Sequence, residues 1–425
     1  MLEVEEGLFG NPEDDYNDVL QVLVQLDTNV SKSYTADLDY CIEMAAKPIQ
    51  WHETSKWVDD CWLLIGRSRL YKGDFVNATR SFKYVNTNSD DPDARHEALV
   101  LLMRSFTDME EFENANYVDD FIRKDTIPFN DENARDYHLT RAHFHRLQGN
   151  YSRVVQHLEV AMPVIKEKRL RGRMSFILAQ LHQRAGNEEK AYAYYQEVLK
   201  NRPSFELETY AKVSAYGLQA FETEEEREEA REYYAKLLKD EKYRDYRDKI
   251  QYEEARFELK QGNEEEALEL LNESINVSNK PAQAAYAYLQ IGRQAFKKRD
   301  FVKAALYYDS ALTQMPEKFD VYQDIEAQQQ TLSKFAKVHT EFKKQDRLKM
   351  LSKMDSASLS VFLQAEYEKD REAALQQKQY SEMRKQMRKQ KAPSSSSTPF
   401  QQQGEAAWYF YNPQAIADGK VAFIR

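Results

Sequence analysis

Between residues 57 and 316, small and apolar residues recur at helical spacing in paired blocks, each pair broken by a polar or glycine-bearing turn. In "RMSFILAQLHQRAGNEEKAYAYYQEVLKNRP" the first helix carries Ala179, Gly186 marks the turn, the second helix presents Ala191, Tyr195 and Val198, and Pro203 ends the block. The scheme returns early, with Trp62, Ile65, Gly66, Ala78 and Phe82, and late, with Ile291, Gly292, Ala304, Tyr308, Ala311 and Pro316. The small residue that opens each second helix falls at Ala78, Ala115, Val154, Ala191, Ala230, Ala267 and Ala304, at intervals of 37, 39, 37, 39, 37 and 37 residues. A small residue at a helix crossing lets two helices approach, and large ones such as Phe82, Tyr195 and Tyr308 then fill the space against the next pair. No pair buries its apolar face alone, so neighbours must stack.

The period and the small-residue pattern resemble the tetratricopeptide (TPR) repeat, lengthened by a few residues per unit. The fold class expected is all-α: a TPR-like α-solenoid of about seven helix-turn-helix repeats over 57–316. Around it the pattern predicts an acidic N-terminal segment (1–33) with one short helix within 11–28 and a capping helix (34–56). Beyond the repeats it predicts charged helices (317–392), a Ser/Gln-rich linker (393–404) and an aromatic, strand-like segment (405–425).

Composition narrows the function classes. The chain has 425 residues, a net charge of -11, 42% hydrophobic and 31% charged residues, and only 12 glycines against 27 tyrosines and 21 phenylalanines. So few glycines argue against a β-barrel or a nucleotide-binding α/β sheet. No apolar run reaches the length of about 18 residues that a membrane helix needs. The acidic start "MLEVEEGLFG" is not a secretory signal, which leaves a cytosolic chain and a trimmed one as alternatives. Cys41 and Cys61 lie in helical pattern and read as two buried thiols. A disulfide between them would need an oxidising compartment.

Catalytic and metal chemistry find little footing. None of GxSxG, HExxH, a phosphate-binding loop or GxGxxG occurs, so no catalytic residue, metal or cofactor is expected. His138, His143, His145 and His157 share one repeat, but His143 and His145 point about 200° apart on a helix, which is unsuited to a shared ion. "NPEDDYND" lacks the Gly and the closing Glu of a Ca²⁺ loop and reads as a solvated turn. The basic "MRKQMRKQK" has no interleaved aromatics and reads as a solvated helix end rather than a nucleic-acid footprint.

One row stands out. The position after the crossing residue of each first helix reads Arg67, Arg104, His143, Gln180, Gln219, Arg256 and Arg293. It is wholly polar, and arginine offers bidentate hydrogen bonds to carboxylates. These residues are the candidate partner-binding positions of a concave groove. Their ligand would be an acidic segment of a partner or the chain's own acidic N-terminus, unless the guanidiniums pair within the array. A Lys/Asn clamp of the chaperone-tail type is absent, since Leu63 and Arg67 take those positions.

Two stretches carry a family resemblance. In "SKWVDDCWLLIGRSRL", Lys56, Trp57, Val58, Asp59, Asp60, Leu63, Leu64, Ile65 and Gly66 match the opening of the SprE/PorW family, with Arg67 for its usual Lys. "RLKMLSKMDSASLSVFL" resembles that family's segment after its repeats. In "WYFYNPQAIADGKVAFIR", Phe410, Tyr411, Asn412, Pro413, Gly419, Lys420 and Phe423 match its aromatic block. The resemblance implies a non-catalytic scaffold of type IX secretion and gliding motility, a lipoprotein on the periplasmic side of the outer membrane. Its protein partners would be ring and translocon components, with no nucleic acid. It also implies that the chain is a fragment, its lipid anchor and a further C-terminal region lying outside it. The competing reading is a cytosolic TPR adaptor that captures acidic peptide tails.

Overall fold

The computed structural model describes residues 4–5, 14–24 and 32–369, apart from residues 220, 222, 318 and 320, together with 371, 372 and 375. The expected linker (393–404) and aromatic segment (405–425) lie outside the described residues, as do 376–392. Every regular element among the described residues is a helix. The chain divides into two compact units, 1–341 and 342–425.

In the first unit, α1 (Thr35–Trp51) packs on the first of seven helix pairs. The first helices are α2 (Val58–Tyr71), α4 (Pro92–Asp108), α6 (Asp131–Leu147), α8 (Lys168–Arg184), α10 (Phe205–Tyr216), α12 (Arg247–Gln261) and α14 (Pro281–Lys297). Their partners are α3 (Phe75–Asn88), α5 (Phe112–Lys124), α7 (Tyr151–Ala161), α9 (Glu188–Lys200), α11 (Glu224–Lys239), α13 (Glu264–Val277) and α15 (Phe301–Gln314). A long helix, α16 (Tyr322–Leu351), follows. This is the all-α solenoid that the period predicts.

The crossing residues explain the pairing. Ala78, Ala115, Val154, Ala191, Ala230, Ala267 and Ala304 are all completely buried. Four residues on, one helical turn later on the same face, stand Phe82, Asp119, Leu158, Tyr195, Tyr234, Leu271 and Tyr308, each no more than 3% exposed. Asp119 is the exception in kind. Its carboxylate accepts a hydrogen bond from the Tyr137 hydroxyl (2.7 Å) and pairs with Arg123 (2.8 Å) and Arg141 (3.4 Å). A buried charge persists only when paired and hydrogen-bonded in this way.

The turns inside the pairs repeat as closely. Gly73, Glu110, Gly149, Gly186, Gly262 and Arg299 all adopt positive φ, between 59° and 86°. The next residue's amide then reaches back to the first helix, Asp74 to the Arg69 carbonyl (2.9 Å), Asn187 to that of His182 (2.9 Å) and Asp300 to that of Ala295 (2.9 Å). This is the glycine-type helix stop, with the left-handed residue satisfying carbonyls that a helix end leaves open. The same next residue caps the second helix: the Asp74, Asn150, Asn187 and Asp300 side chains accept from the amides of Asn77, Arg153, Lys190 and Lys303. The fifth pair departs from this pattern. Its turn is longer, Phe221 inserts against Phe257 and Tyr216, and a capping box between Thr223 and Glu226 opens α11.

Successive pairs are tied by polar contacts as well. The Ser89 hydroxyl donates to Asp59 (2.6 Å) and its oxygen accepts the Asp91 amide (3.1 Å). The same arrangement returns at Ser278, Asp248 (2.6 Å) and the Lys280 amide (3.2 Å).

In the second unit, the end of α16 is followed by a turn and a helix over 356–369, opened by Asp355 accepting the Ser358 amide (2.7 Å). Arg347 and Glu366 form an ion pair. Cys41 and Cys61 form no disulfide, and both are half-buried rather than buried as the helical pattern suggested.

Candidate peptide groove

Polar side chains of α4, α6 and α8 hold the chain's own N-terminal segment against the first helices. Residues 14–24 form no helix there, which corrects the short helix expected within 11–28. Two local causes act against a helix. Asp15 closes a turn, its carboxylate accepting from the Asn17 amide (3.0 Å) and its carbonyl from the Asp18 amide (3.2 Å). The carbonyls a helix would use internally are instead taken by side chains of the groove.

Those side chains come from α4, α6 and α8. Gln180 acts from both ends of its amide: Nε2 donates to the carbonyls of Tyr16 (3.1 Å) and Asp18 (2.6 Å), and Oε1 accepts the Leu20 amide (3.1 Å). Arg146 donates to the carbonyls of Val19 (2.7 Å) and Leu20 (3.3 Å). Arg173 donates to the Gln21 carbonyl (2.9 Å), and Arg104 to that of Val24 (3.3 Å).

Side chains of the segment set its register. Asp14 forms a two-point ion pair with Arg173, the Nη2–Oδ1 arm at 2.9 Å. Arginine suits this planar, bidentate contact. The Tyr16 ring meets Tyr210 at 4.9 Å between centroids and the edge of Phe176 at 5.6 Å. Burial, with the Asp14 charge beside it, pushes the Tyr16 hydroxyl up to about 12. Val19, Leu20 and Val22 are buried in the core formed by the third to fifth pairs. Further toward the N-terminus, Val4 is buried against the first two pairs, and Glu5 accepts from the Tyr71 hydroxyl (2.9 Å) and lies 3.8 Å from Arg67.

The seven candidate row residues divide. Gln180 and Arg104 hold the segment through its backbone. Arg67 faces Glu5 but pairs more closely with Glu97 on the next first helix (2.5 Å). His143 is buried and bonded to Asp108 (3.0 Å) beneath the surface. Arg256 pairs with Glu253 (2.9 Å), which Lys249 also contacts (2.7 Å). Gln219 is exposed beyond the end of α10, and Arg293 is exposed without an ion pair among the described residues. The row does not run as one ladder, because acidic residues of the array take Arg67, His143 and Arg256, and α10 ends at Tyr216, short of Gln219. Arg146 and Arg173 lay outside the row. Each stands on the same first helix as a row member, three residues after His143 and seven before Gln180, and that helical spacing was the signal available in sequence.

The histidines cluster on α6 and α7. His138 Nδ1 lies 3.1 Å from His157 Nδ1, and the His157 ring stacks on His145 at 5.5 Å. Burial, then Arg141, lowers His145 to about 4; burial, then His138, lowers His157 to about 3. No group of three or more residues suited to hold a metal ion forms among the described residues. No helix among them is long and apolar enough to cross a membrane.

No protein-family model matches the chain, and no curated protein does. A solved structure of a tetratricopeptide repeat protein from Parabacteroides merdae is similar over 71% of this chain and 97% of its own, at 15% identity and a TM-score of 0.33.

Proposed function

We propose that this chain is a non-catalytic protein-binding scaffold of the SprE/PorW type, acting in type IX secretion and gliding motility at the periplasmic face of the outer membrane. Its partners in that reading are ring and translocon components. The observation that carries the scaffold reading is the occupied groove, in which a non-helical chain segment is held mainly through its backbone by side chains from three helices. A stacked array of helix pairs suits this task, since it offers an extended concave face built on rigid elements. The finer assignment rests on the sequence matches at 56–66 and 410–423.

The test is capture from native envelopes. The tagged chain, cross-linked in cells that carry the secretion machinery, is expected to recover ring and translocon proteins in near-constant ratio. Recovery of cytosolic proteins alone would overturn the envelope assignment in favour of a cytosolic adaptor.

A further inference from the structure

We propose that the groove over the second to fifth helix pairs is a docking site for a non-helical, turn-bearing acidic–aromatic peptide of a partner protein, and that residues 14–24 are its internal stand-in. The inference deepens the scaffold reading and rests on it.

The chemistry of the seat defines the ligand. Gln180, Arg146, Arg173 and Arg104 address main-chain carbonyls, plus one amide, of a segment that turns over Asp15–Asp18 and runs on without helix. These contacts hold a peptide without choosing its sequence. Choice falls to a few side chains: an aspartate on Arg173, an aromatic ring two residues later between Phe176 and Tyr210, then apolar residues in the places of Val19, Leu20 and Val22. A partner segment that turns over its second to fifth positions, with Asp at its first, Tyr at the third and apolar residues at the sixth, seventh and ninth, meets every one of these contacts. The Asp14–Arg173 pair is largely shielded, with 11% and 18% of the side chains exposed, so it discriminates against a neutral or basic residue more strongly than a surface pair does.

The stand-in is joined to the array through residues 25–31, so it competes at the high effective concentration of a tethered ligand, of the order of millimolar. A partner must then bring a better sequence or a second contact elsewhere, which makes occupation selective.

The experiment titrates a fluorescein-labelled synthetic peptide of residues 12–24 into the full chain and two variants. Asp14→Ala with Tyr16→Ala weakens the stand-in, and this variant is expected to bind the peptide at least tenfold more tightly than the wild type. Adding Arg173→Glu is expected to abolish the gain, and a peptide with Ala in place of its Tyr is expected to bind at least tenfold more weakly. Equal affinity for all three chains, or binding indifferent to Arg173→Glu, overturns the proposal. Helical circular dichroism checks folding. If the double variant does not fold, Tyr16→Leu takes its place with the same expectations. A concentration-dependent wild-type dimer that the double variant loses assigns the groove to the segment of a second copy and also overturns the proposal. Envelope capture by the wild type and by Arg173→Glu separates this inference from the scaffold reading. Equal recovery of partners by both sinks the groove and leaves the scaffold standing, whereas no recovery by the wild type sinks the scaffold reading itself.

Discussion

The ring of Phe82 lies directly against the α-carbon of Gly66. A methyl group built on Gly66 would sit 2.3 Å from the ring's Cε1, and Gly292 stands in the same relation to Tyr308, at 2.5 Å from Cδ1. Both rings are buried, at 0% and 2% exposure, so neither can swing aside. Gly66→Ala is therefore expected to destabilise the array by about 1–3 kcal/mol, as overpacking does, despite alanine's better helix propensity. Phe82→Ala, which opens a cavity in the same crossing, is expected to cost about 3–5 kcal/mol. Chemical denaturation of the two variants checks both values, and a stabilised Gly66→Ala chain would show that the crossing has room.

Two of the left-handed turn positions are not glycine. Glu110 and Arg299 hold φ of 59° and 61°, where the other turns use Gly73, Gly149, Gly186 and Gly262. An L-residue pays about 1–2 kcal/mol for this conformation, part of which glycine returns as entropy lost on folding. Glu110→Gly and Arg299→Gly should each raise stability by about 0.5–1 kcal/mol, and should add, because the turns belong to different repeats. Melting curves of the single and double variants test this.

Acid should loosen the third helix pair. His145 and His157 are held neutral in the fold at about 4 and about 3, below the ordinary value of 6.5. Below pH 6.5 the unfolded chain takes up protons that the folded chain refuses, so stability falls as pH drops from about 6.5 toward 3. Replacing both with glutamine should flatten the melting temperature over that range while changing it little at pH 8.

Glu254 gives a slope of the opposite sign. Burial, then the carboxylates of Glu258, Glu273 and Glu266, raises it to about 7, and its Oε2 is buried without a hydrogen-bond partner. The folded chain keeps this proton after the unfolded chain has lost it, so stability falls as pH rises from about 4.5 to 7. Glu254→Gln should stabilise by about 1–2 kcal/mol at pH 8, a value reduced from the full shift because the group is only partly buried. The gain should vanish at pH 4. A gain that is the same at both pH values would mean that packing, not charge, is responsible.

The helix pairs were legible in the sequence because one small residue recurs at a fixed period, and sterics bind that residue to the crossing. Ala191 and Tyr195 state this in two letters. The groove was less legible. Its row was extrapolated from helical spacing, which holds at Arg104 and Gln180, buries His143 against Asp108, and runs off the end of α10 at Gln219. The seat of the N-terminal segment depends on contacts such as Asp14 to Arg173, 159 residues apart. No local pattern encodes a pairing of that range.

Gln180 has a further consequence. Donating to two carbonyls and accepting one amide, it takes up main-chain groups that the turn at Asp15–Asp18 leaves open. Main-chain groups are common to nearly every residue type, and a groove that grips through them tolerates change in the side chains between its anchors. Gln21 is exposed and meets the groove through its carbonyl alone, so its side chain is free to vary, whereas Asp14 and Tyr16 are not. The seated sequence is thus fixed at its two anchors and open to drift at positions such as Gln21, so the segment can change there while the groove stays as it is.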